Sequence, residues 1–150
     1  QANRFQGFVQ AEFGDLEGGA KIMAMRDWIE TKFSYVPGAS NADTTALDSF
    51  VQREGICRDY AHVLIAMARA ATIPARMASV YAIDVEPQDF HAVAEVYLDG
   101  EWQLVDPTGM APVDGIARIG VGRDAADISF MTIYGRAELQ RQTVEVEKAE

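Results

Sequence analysis

Three residues have the types that nucleophilic catalysis needs: Cys57, His91 and Asp106. A thiolate can attack a carbonyl carbon, an imidazole can carry the proton, and a carboxylate can hold the imidazole in one tautomer. Cys57 is the only cysteine, so no internal disulfide can form. One thiol and two histidines are also too few for the usual structural zinc site. The residue types therefore predict thiol chemistry without a metal centre.

The sequence around Cys57 predicts a helix that begins at the cysteine. Apolar residues recur at helical spacing from Cys57 to about Ala71, with Gly55 before the run and Pro74 after it. The free N–H groups and positive dipole end at a helix N-terminus favour a thiolate over a thiol. Taken alone, however, a single cysteine is more often a small buried apolar residue.

Alternating Val, Ile, Tyr and Ala residues predict three strands, at Met77 to Val85, Ala92 to Leu98 and Trp102 to Val105. Asp99-Gly100 between the last two is a strong signal for a two-residue hairpin, because both positions need a positive φ. This turn would place Val93 opposite Asp106.

The same register places a histidine beside a carboxylate. His91 and Val93 point to one face of the strand because side chains alternate with a period of two. His91 and Asp106 would then be diagonal neighbours, roughly 7–8 Å apart, a gap that an imidazole and a carboxylate can bridge. Considered separately, His91 is more commonly a structural histidine and Asp106 a turn residue before Pro107.

The second histidine, His62, is a competing base. It follows Cys57 by five positions, about 140° around a helix, so its ring leaves from another face. We assign it to packing or to the wall of the site. Arg58 and Asp59 fall in the first helical turn, where charges are usually solvated, and their roles stay open.

Other elements follow from periodicity and turn residues. Residues 19–33 predict an amphipathic helix, residues 37–45 a loop, and Thr44 or Thr45 caps a short helix through Phe50. Apolar runs predict further strands at Ile116 to Val121, Ile128 to Tyr134 and Thr143 to Val146.

Four separated blocks of the sequence carry a family resemblance: Gly55 to His62, Ile73 to Arg76, His91 to Val96 and Trp102 to Thr108. They resemble the transglutaminase-like superfamily, in its bacterial cysteine-peptidase branch. The similarity extends from about Trp28 to Tyr134, and a later block, Gly122 to Asp127, is also similar to a motif of that branch. Val93 stands where relatives often have an aromatic residue.

The resemblance implies an α+β, papain-like cysteine proteinase fold, with the nucleophile helix packed on an antiparallel β-sheet that carries His91 and Asp106. It implies acyl-enzyme chemistry on amides with no cofactor, in a family of transglutaminases, peptidases, amidases and inactive relatives. Residues 1–150 would form one transglutaminase-like catalytic core domain, excised from a longer chain. Bacterial relatives often carry an additional N-terminal β domain.

The leading hypothesis is that the Cys57 thiolate attacks a carboxamide of a peptide or protein, and that water resolves the thioester. We favour hydrolysis over transfer because no amine site is evident. The oxyanion would bind the backbone N–H of Cys57 and a second donor, for which Gln52 is a candidate, although a solvated surface residue is the favoured interpretation. The alternative is a catalytically silent peptide-binding or scaffold module.

The composition limits the classes of partner that the protein is expected to bind. Lys and Arg number 13 against 23 Asp and Glu, a net charge of −10, so the surface would repel nucleic acid. No apolar run reaches the roughly 18 residues of a membrane span, so we expect no membrane partner. The expected location is cytoplasmic, and the oligomeric state is open.

Overall fold

Two helices precede the helix predicted to carry the thiol. In the computed structural model, which describes residues 1–129 and 131–149, they are α1, Ala2–Phe13, and α2, Gly18–Lys32. The second confirms the predicted amphipathic helix. The first was not predicted, although it buries Phe5, Val9 and Phe13 at successive turns.

A small parallel pairing then fixes the approach to Cys57. Strand β1, Ser34–Tyr35, pairs with β2, Glu54–Gly55, so that Tyr35 lies opposite Gly55. Between them lies α3, Ala46–Gln52, which confirms the predicted short helix. Thr45 caps it in a reciprocal capping box with Asp48.

Helix α4, Cys57–Ala70, begins at the cysteine as predicted. The Asp59 carboxylate caps it by accepting a 2.8 Å hydrogen bond from the backbone N–H of Ile56. A Cβ at Gly55 would lie 2.6 Å from the Cβ of Asp59, so this position has room only for glycine. The cap and the glycine together set where the helix starts, and therefore where the thiol lies.

A four-stranded antiparallel sheet lies against α4. It comprises β3, Ala75–Ala82; β4, His91–Leu98; β5, Glu101–Val105; and β6, Ile116–Gly122, in the order β5-β4-β3-β6. All four strands were predicted, with small differences at their ends.

The β4–β5 hairpin has the predicted register. Asp99 and Gly100 have φ values of 53° and 87°, and the ladder pairs Leu98 with Glu101 and Ala94 with Val105. A two-residue turn with positive φ at both positions matches the twist of the strands and permits no other alignment.

The core lies between α4 and the sheet and extends under α1 and α2. The chain is therefore α+β, with the thiol helix packed on an antiparallel sheet, as predicted. No helix within the described part of the chain is both long and apolar enough to cross a membrane. The largest fully buried apolar side chains are Phe5, Ile22, Met25, Ile29, Leu64, Met67, Met77, Val63, Val80, Val93 and Val96.

Two predicted strands are wrong. In the range 128–134, Ile128 ends a 3-10 helix, Ala125–Ile128, and residues 129 and 131–134 form no strand; Phe130 lies outside the described residues. The range 143–146 also forms no strand. In this range the backbone N–H and C=O of Val146 bond to the side chain of Gln88 instead of to a neighbouring strand. A further 3-10 helix, Val113–Gly115, precedes β6.

Candidate active site

The structure brings the three predicted site residues to one place. Cys57 is the first residue of α4, His91 is the first of β4, and Asp106 follows the last residue of β5. The imidazole Nε2 of His91 lies 2.9 Å from Oδ2 of Asp106, and both side chains are buried. Since Nε2 faces the carboxylate, Nδ1 is the ring nitrogen left for the thiol.

The thiol and the imidazole are close enough for each to affect the charge of the other. Burial by itself lowers the pKa of His91, but hydrogen bonds with Asp106 and Cys57, and the charges of both partners, outweigh it and raise the pKa to about 9. The cationic imidazolium is therefore the form that the site stabilises at neutral pH. An imidazolium beside a thiolate is the resting state of an activated thiol nucleophile.

Asp106 also accepts hydrogen bonds from groups other than His91. Its Oδ1 accepts hydrogen bonds from the backbone N–H of Thr108 at 2.9 Å and from the Thr108 hydroxyl at 2.7 Å, and its Oδ2 also accepts from the N–H of Ala111 at 3.0 Å. Burial raises the pKa of Asp106, but the bonds from His91 and Thr108 and the charge of His91 lower it overall. Asp106 thus shapes the turn and contacts the imidazole, so the two sequence-based interpretations are compatible.

We expect Asp106→Asn to lower both turnover and stability. Every group bonded to the carboxylate is a donor or can act as one, so an amide NH₂ must face at least one donor, at a cost of about 1–3 kcal/mol. Turnover should fall roughly 10⁴-fold, because the amide cannot stabilise imidazolium and can select the wrong tautomer. Melting temperature and initial rates would measure the two effects.

Thr108→Val is the matched control for Asp106→Asn. It removes one hydroxyl donor to the carboxylate but leaves the contact between His91 and Asp106. The control should lose a little stability and keep most of its turnover. A near-normal rate in Asp106→Asn would mean that Asp106 serves only the turn.

Tyr35 is a fourth member of the site, and it was missed from the sequence. The β1–β2 pairing places it opposite Gly55, and its ring lies 5.9 Å from the ring of Tyr60. Burial, and then the nearby charge of Cys57, raise the pKa of Tyr35 to about 12, although a hydrogen bond from the backbone N–H of Cys57 acts against them. The hydroxyl is therefore protonated at neutral pH and close to both the thiol and the N–H of Cys57.

The residues considered for supporting roles lie in different environments. Gln52 is exposed at the end of α3. The expectation that first-turn charges are solvated is wrong for Asp59, which is fully buried and accepts a hydrogen bond from Ser40. Arg58 donates to Ser40 at 3.0 Å and to the carbonyl of Asn41 at 3.1 Å. Both charged residues therefore fasten the loop before α3 to the start of α4.

His62 does not line the cleft that contains Cys57. Its Nε2 accepts a long, 3.4 Å hydrogen bond from the N–H of Ala125, and it borders a neighbouring cavity together with Arg69 and Arg123. Burial lowers the pKa of His62 most strongly, so it is neutral near pH 7. This environment agrees with packing and with support for the segment after β6.

The block from Gly122 to Asp127 builds one wall of the cleft. The N–H of Arg123 donates to Asp127 at 2.9 Å, and a Cβ at Gly122 would lie 2.4 Å from the Cβ of Asp127. The resulting tight turn directs the 3-10 helix toward Cys57. The cleft has a volume of about 560 Å³, and apolar residues dominate the rest of its wall: Met77, Ile119, Val121, Ile128 and Met131.

A thiol at a helix N-terminus, facing an imidazole–carboxylate pair on an antiparallel sheet, defines the papain-like class of cysteine enzymes. The model of the Transglutaminase-like superfamily matches residues 7–107. The chain belongs to that superfamily.

Solved structures support the same fold. A candidate cysteine protease from Cytophaga hutchinsonii superimposes with a TM-score of 0.87 and 41% identity, covering 91% of this chain and 47% of that chain. The periplasmic domain of TgpA from Pseudomonas aeruginosa gives a TM-score of 0.57 at 26% identity, over 75% of this chain and 46% of that one. The fold is therefore that of the papain-like, transglutaminase-like cysteine proteases.

Mycobacterial proteins are similar in sequence. An uncharacterised protein of Mycobacterium leprae is 30% identical over 118 residues, which are 72% of this chain and 42% of that protein. One of Mycobacterium tuberculosis is 34% identical over 115 residues, 67% of this chain and 37% of that protein. The chain spans less than half the length of these relatives.

Proposed function

We propose that this domain cleaves or transfers acyl groups of peptide carboxamides through a thioester on Cys57, with His91 as the proton carrier and Asp106 as its orienting carboxylate. Hydrolysis is the favoured outcome, since water is always available as the acceptor. The substrate is a peptide or a protein, and the protein residues need no cofactor for these steps.

One observation carries the proposal. The imidazole of His91 bonds to a buried carboxylate through Nε2, and Cys57 is close enough to raise the pKa of His91. Cys57 remains half-buried and borders an open cleft. A thiol that served only packing would need neither the polarised imidazole nor access to solvent.

The geometry supports a two-step reaction. The Cys57 thiolate adds to the carbonyl carbon, and the carbonyl electrons move onto oxygen. The imidazolium of His91 then gives its proton to the departing amine as the C–N bond breaks, leaving a thioester. In the second step His91 takes a proton from water, the hydroxide adds to the thioester, and the carboxylic acid departs as the thiolate returns.

Two donors would hold the oxyanion. The backbone N–H of Cys57 is one, as predicted for a nucleophile in the first turn of a helix. We assign the second to the hydroxyl of Tyr35, which already interacts with that N–H and with the thiol. A bound carbonyl oxygen would replace the thiol as the acceptor of the Tyr35 hydrogen bond.

Tyr35→Phe is expected to lower kcat about 100-fold, the usual effect of removing one oxyanion donor. The phenyl ring keeps the contact with Tyr60, so stability should change little. Alkylation of Cys57 by iodoacetamide should stay within a few-fold of wild type, because that reaction forms no oxyanion. Tyr60→Phe is the matched control, and equal kcat values for the two variants would exclude Tyr35 from this role.

The function is tested by mass spectrometry of a peptide library incubated with the enzyme, with and without a primary amine. Chain cleavage would identify a peptidase, loss of ammonia from Gln side chains an amidase, and amine incorporation at Gln a transglutaminase. Each product must disappear with Cys57→Ala. If no product forms while peptides still bind, the silent binding module is the correct interpretation.

A further inference from the structure

A late segment of the chain, residues 139–146, lies beside the candidate active site. Its main contact is with Gln88: the side-chain NH₂ donates to the carbonyl of Val146 at 2.8 Å, and the side-chain oxygen accepts from the N–H of Val146 at 2.9 Å. Gln142 also donates to the Asp89 carboxylate at 3.0 Å.

The Gln88 carboxamide bonds to the backbone of this segment in the way that a neighbouring β-strand would. One donor and one acceptor bond the N–H and C=O of a single residue, which is the pairing of an antiparallel ladder. Burial along the segment alternates: Val144 and Val146 are half-buried, whereas Thr143 and Glu145 are exposed. That period of two is typical of an extended chain with one face on a surface. Gln88 therefore recognises extended backbone and not a particular side chain.

A groove between this segment and the rest of the protein adjoins the cleft of Cys57. Its volume is about 790 Å³; Ile56, Arg58 and Phe90 form its inner wall, and residues 139–144 form its outer wall. Arg58 and Phe90 also line the cleft that contains Cys57 and His91. Two neighbouring cavities thus share a wall, and that wall consists of the residues directly next to Cys57 and His91 in the chain.

We propose that this groove is a binding subsite for extended peptide, in which Gln88 bonds the backbone of a segment that leads to Cys57. In this structure residues 139–144 line its outer side and Val146 takes both hydrogen bonds of Gln88, so the segment competes with a substrate for Gln88. The inference rests on the proposed function for its substrate, but peptide binding in the groove does not require catalysis. Recognition through the backbone predicts tolerance of many side chains at this subsite.

The test uses a fluorescent peptide with the sequence of residues 139–147, followed by anisotropy. Val146→Pro removes the N–H that donates to the side-chain oxygen of Gln88, and should free the Gln88 carboxamide for a peptide. We expect this variant to bind the peptide about tenfold more tightly than wild type, since the tethered segment no longer competes. Val146→Ala keeps the N–H and is the matched control, with wild-type affinity expected.

Adding Gln88→Ala to Val146→Pro should remove the gain, because the groove loses both backbone bonds. Equal affinity of the single and double variants, or no gain with Val146→Pro, would overturn the subsite. With a cleaved library peptide, Val146→Pro should lower KM and leave kcat unchanged. The rate of iodoacetamide labelling of Cys57 should be the same in all variants. A low labelling rate in every variant would contradict the proposed function, but it would not contradict peptide binding in the groove.

Discussion

Replacing Cys57 by alanine is expected to reduce turnover roughly a million-fold, which is the scale of losing the nucleophile in other acyl-transfer triads. The melting temperature should stay within about 2 °C of wild type, because a half-buried side chain outside the core contributes little packing. Cys57→Ser should behave alike, since a hydroxyl does not form the stable anion that a thiol forms beside imidazolium. Initial rates and thermal unfolding measure both effects.

The titration of His91 supplies an independent readout of Cys57→Ala. The pKa of about 9 depends on burial, on Asp106 and on Cys57, and the contribution of Cys57 raises it. Loss of the thiol should therefore lower the pKa of His91, as measured by NMR of the imidazole protons. A large drop in melting temperature for both cysteine variants, with an unchanged His91 pKa, would show instead that Cys57 is a packing residue.

Replacing His91 is expected to slow iodoacetamide labelling of the thiol at pH 6 roughly 100-fold, because an unpaired thiol is thiolate in only about one molecule in 300 at that pH. In the wild type the positive imidazolium of His91 lies beside the sulfur, and a neighbouring positive charge favours an anion there. The imidazolium persists as pH rises to about 9, so wild type and His91→Ala should converge above that pH, where any thiol ionises. The pH profile of labelling measures the difference.

The choice of variants separates charge from packing. His91→Gln can keep a hydrogen bond to Asp106 but carries no positive charge, so it should label as slowly as His91→Ala while losing less stability. His62→Ala is the matched histidine control and should label at a rate near wild type, since His62 lies outside the cleft. Loss of low-pH labelling with His62→Ala, and its retention with His91→Ala, would make the assignment of the base wrong.

The raised pKa of His91 also makes folding depend on pH. The folded-state pKa, about 9, lies above the ordinary value of 6.5. The stabilisation is therefore fully present below pH 6.5 and is lost as pH rises through about 9. Wild type should lose its stability advantage over His91→Gln within this window.

Local rules were enough for the hairpin and the helix starts. A two-residue turn with positive φ permits one register, and the period of two then decides which residues share a face, so His91 and Asp106 could be placed together from their positions alone. The glycine before Cys57 and the proline after the apolar run bounded α4 in the same way. Helix α1 also has a helical pattern in its sequence, the spacing of Phe5, Val9 and Phe13.

Long-range packing decided the rest of the site. Tyr35 reaches Cys57 only because β1 pairs with β2, a contact between two-residue strands too short to show any period. Asp59 looked like a solvated charge but is buried, with the Ser40 hydroxyl and the N–H of Ile56 both donating to its Oδ2.

Residues 143–146 show the same limit of prediction from sequence periodicity. The range 143–146 has the alternation of a strand, and its burial does alternate, but its hydrogen bonds go to the side chain of Gln88. Periodicity along a sequence reports which side of a segment faces the protein. It carries no information about which distant group meets the backbone, and that choice is made only when the whole chain packs.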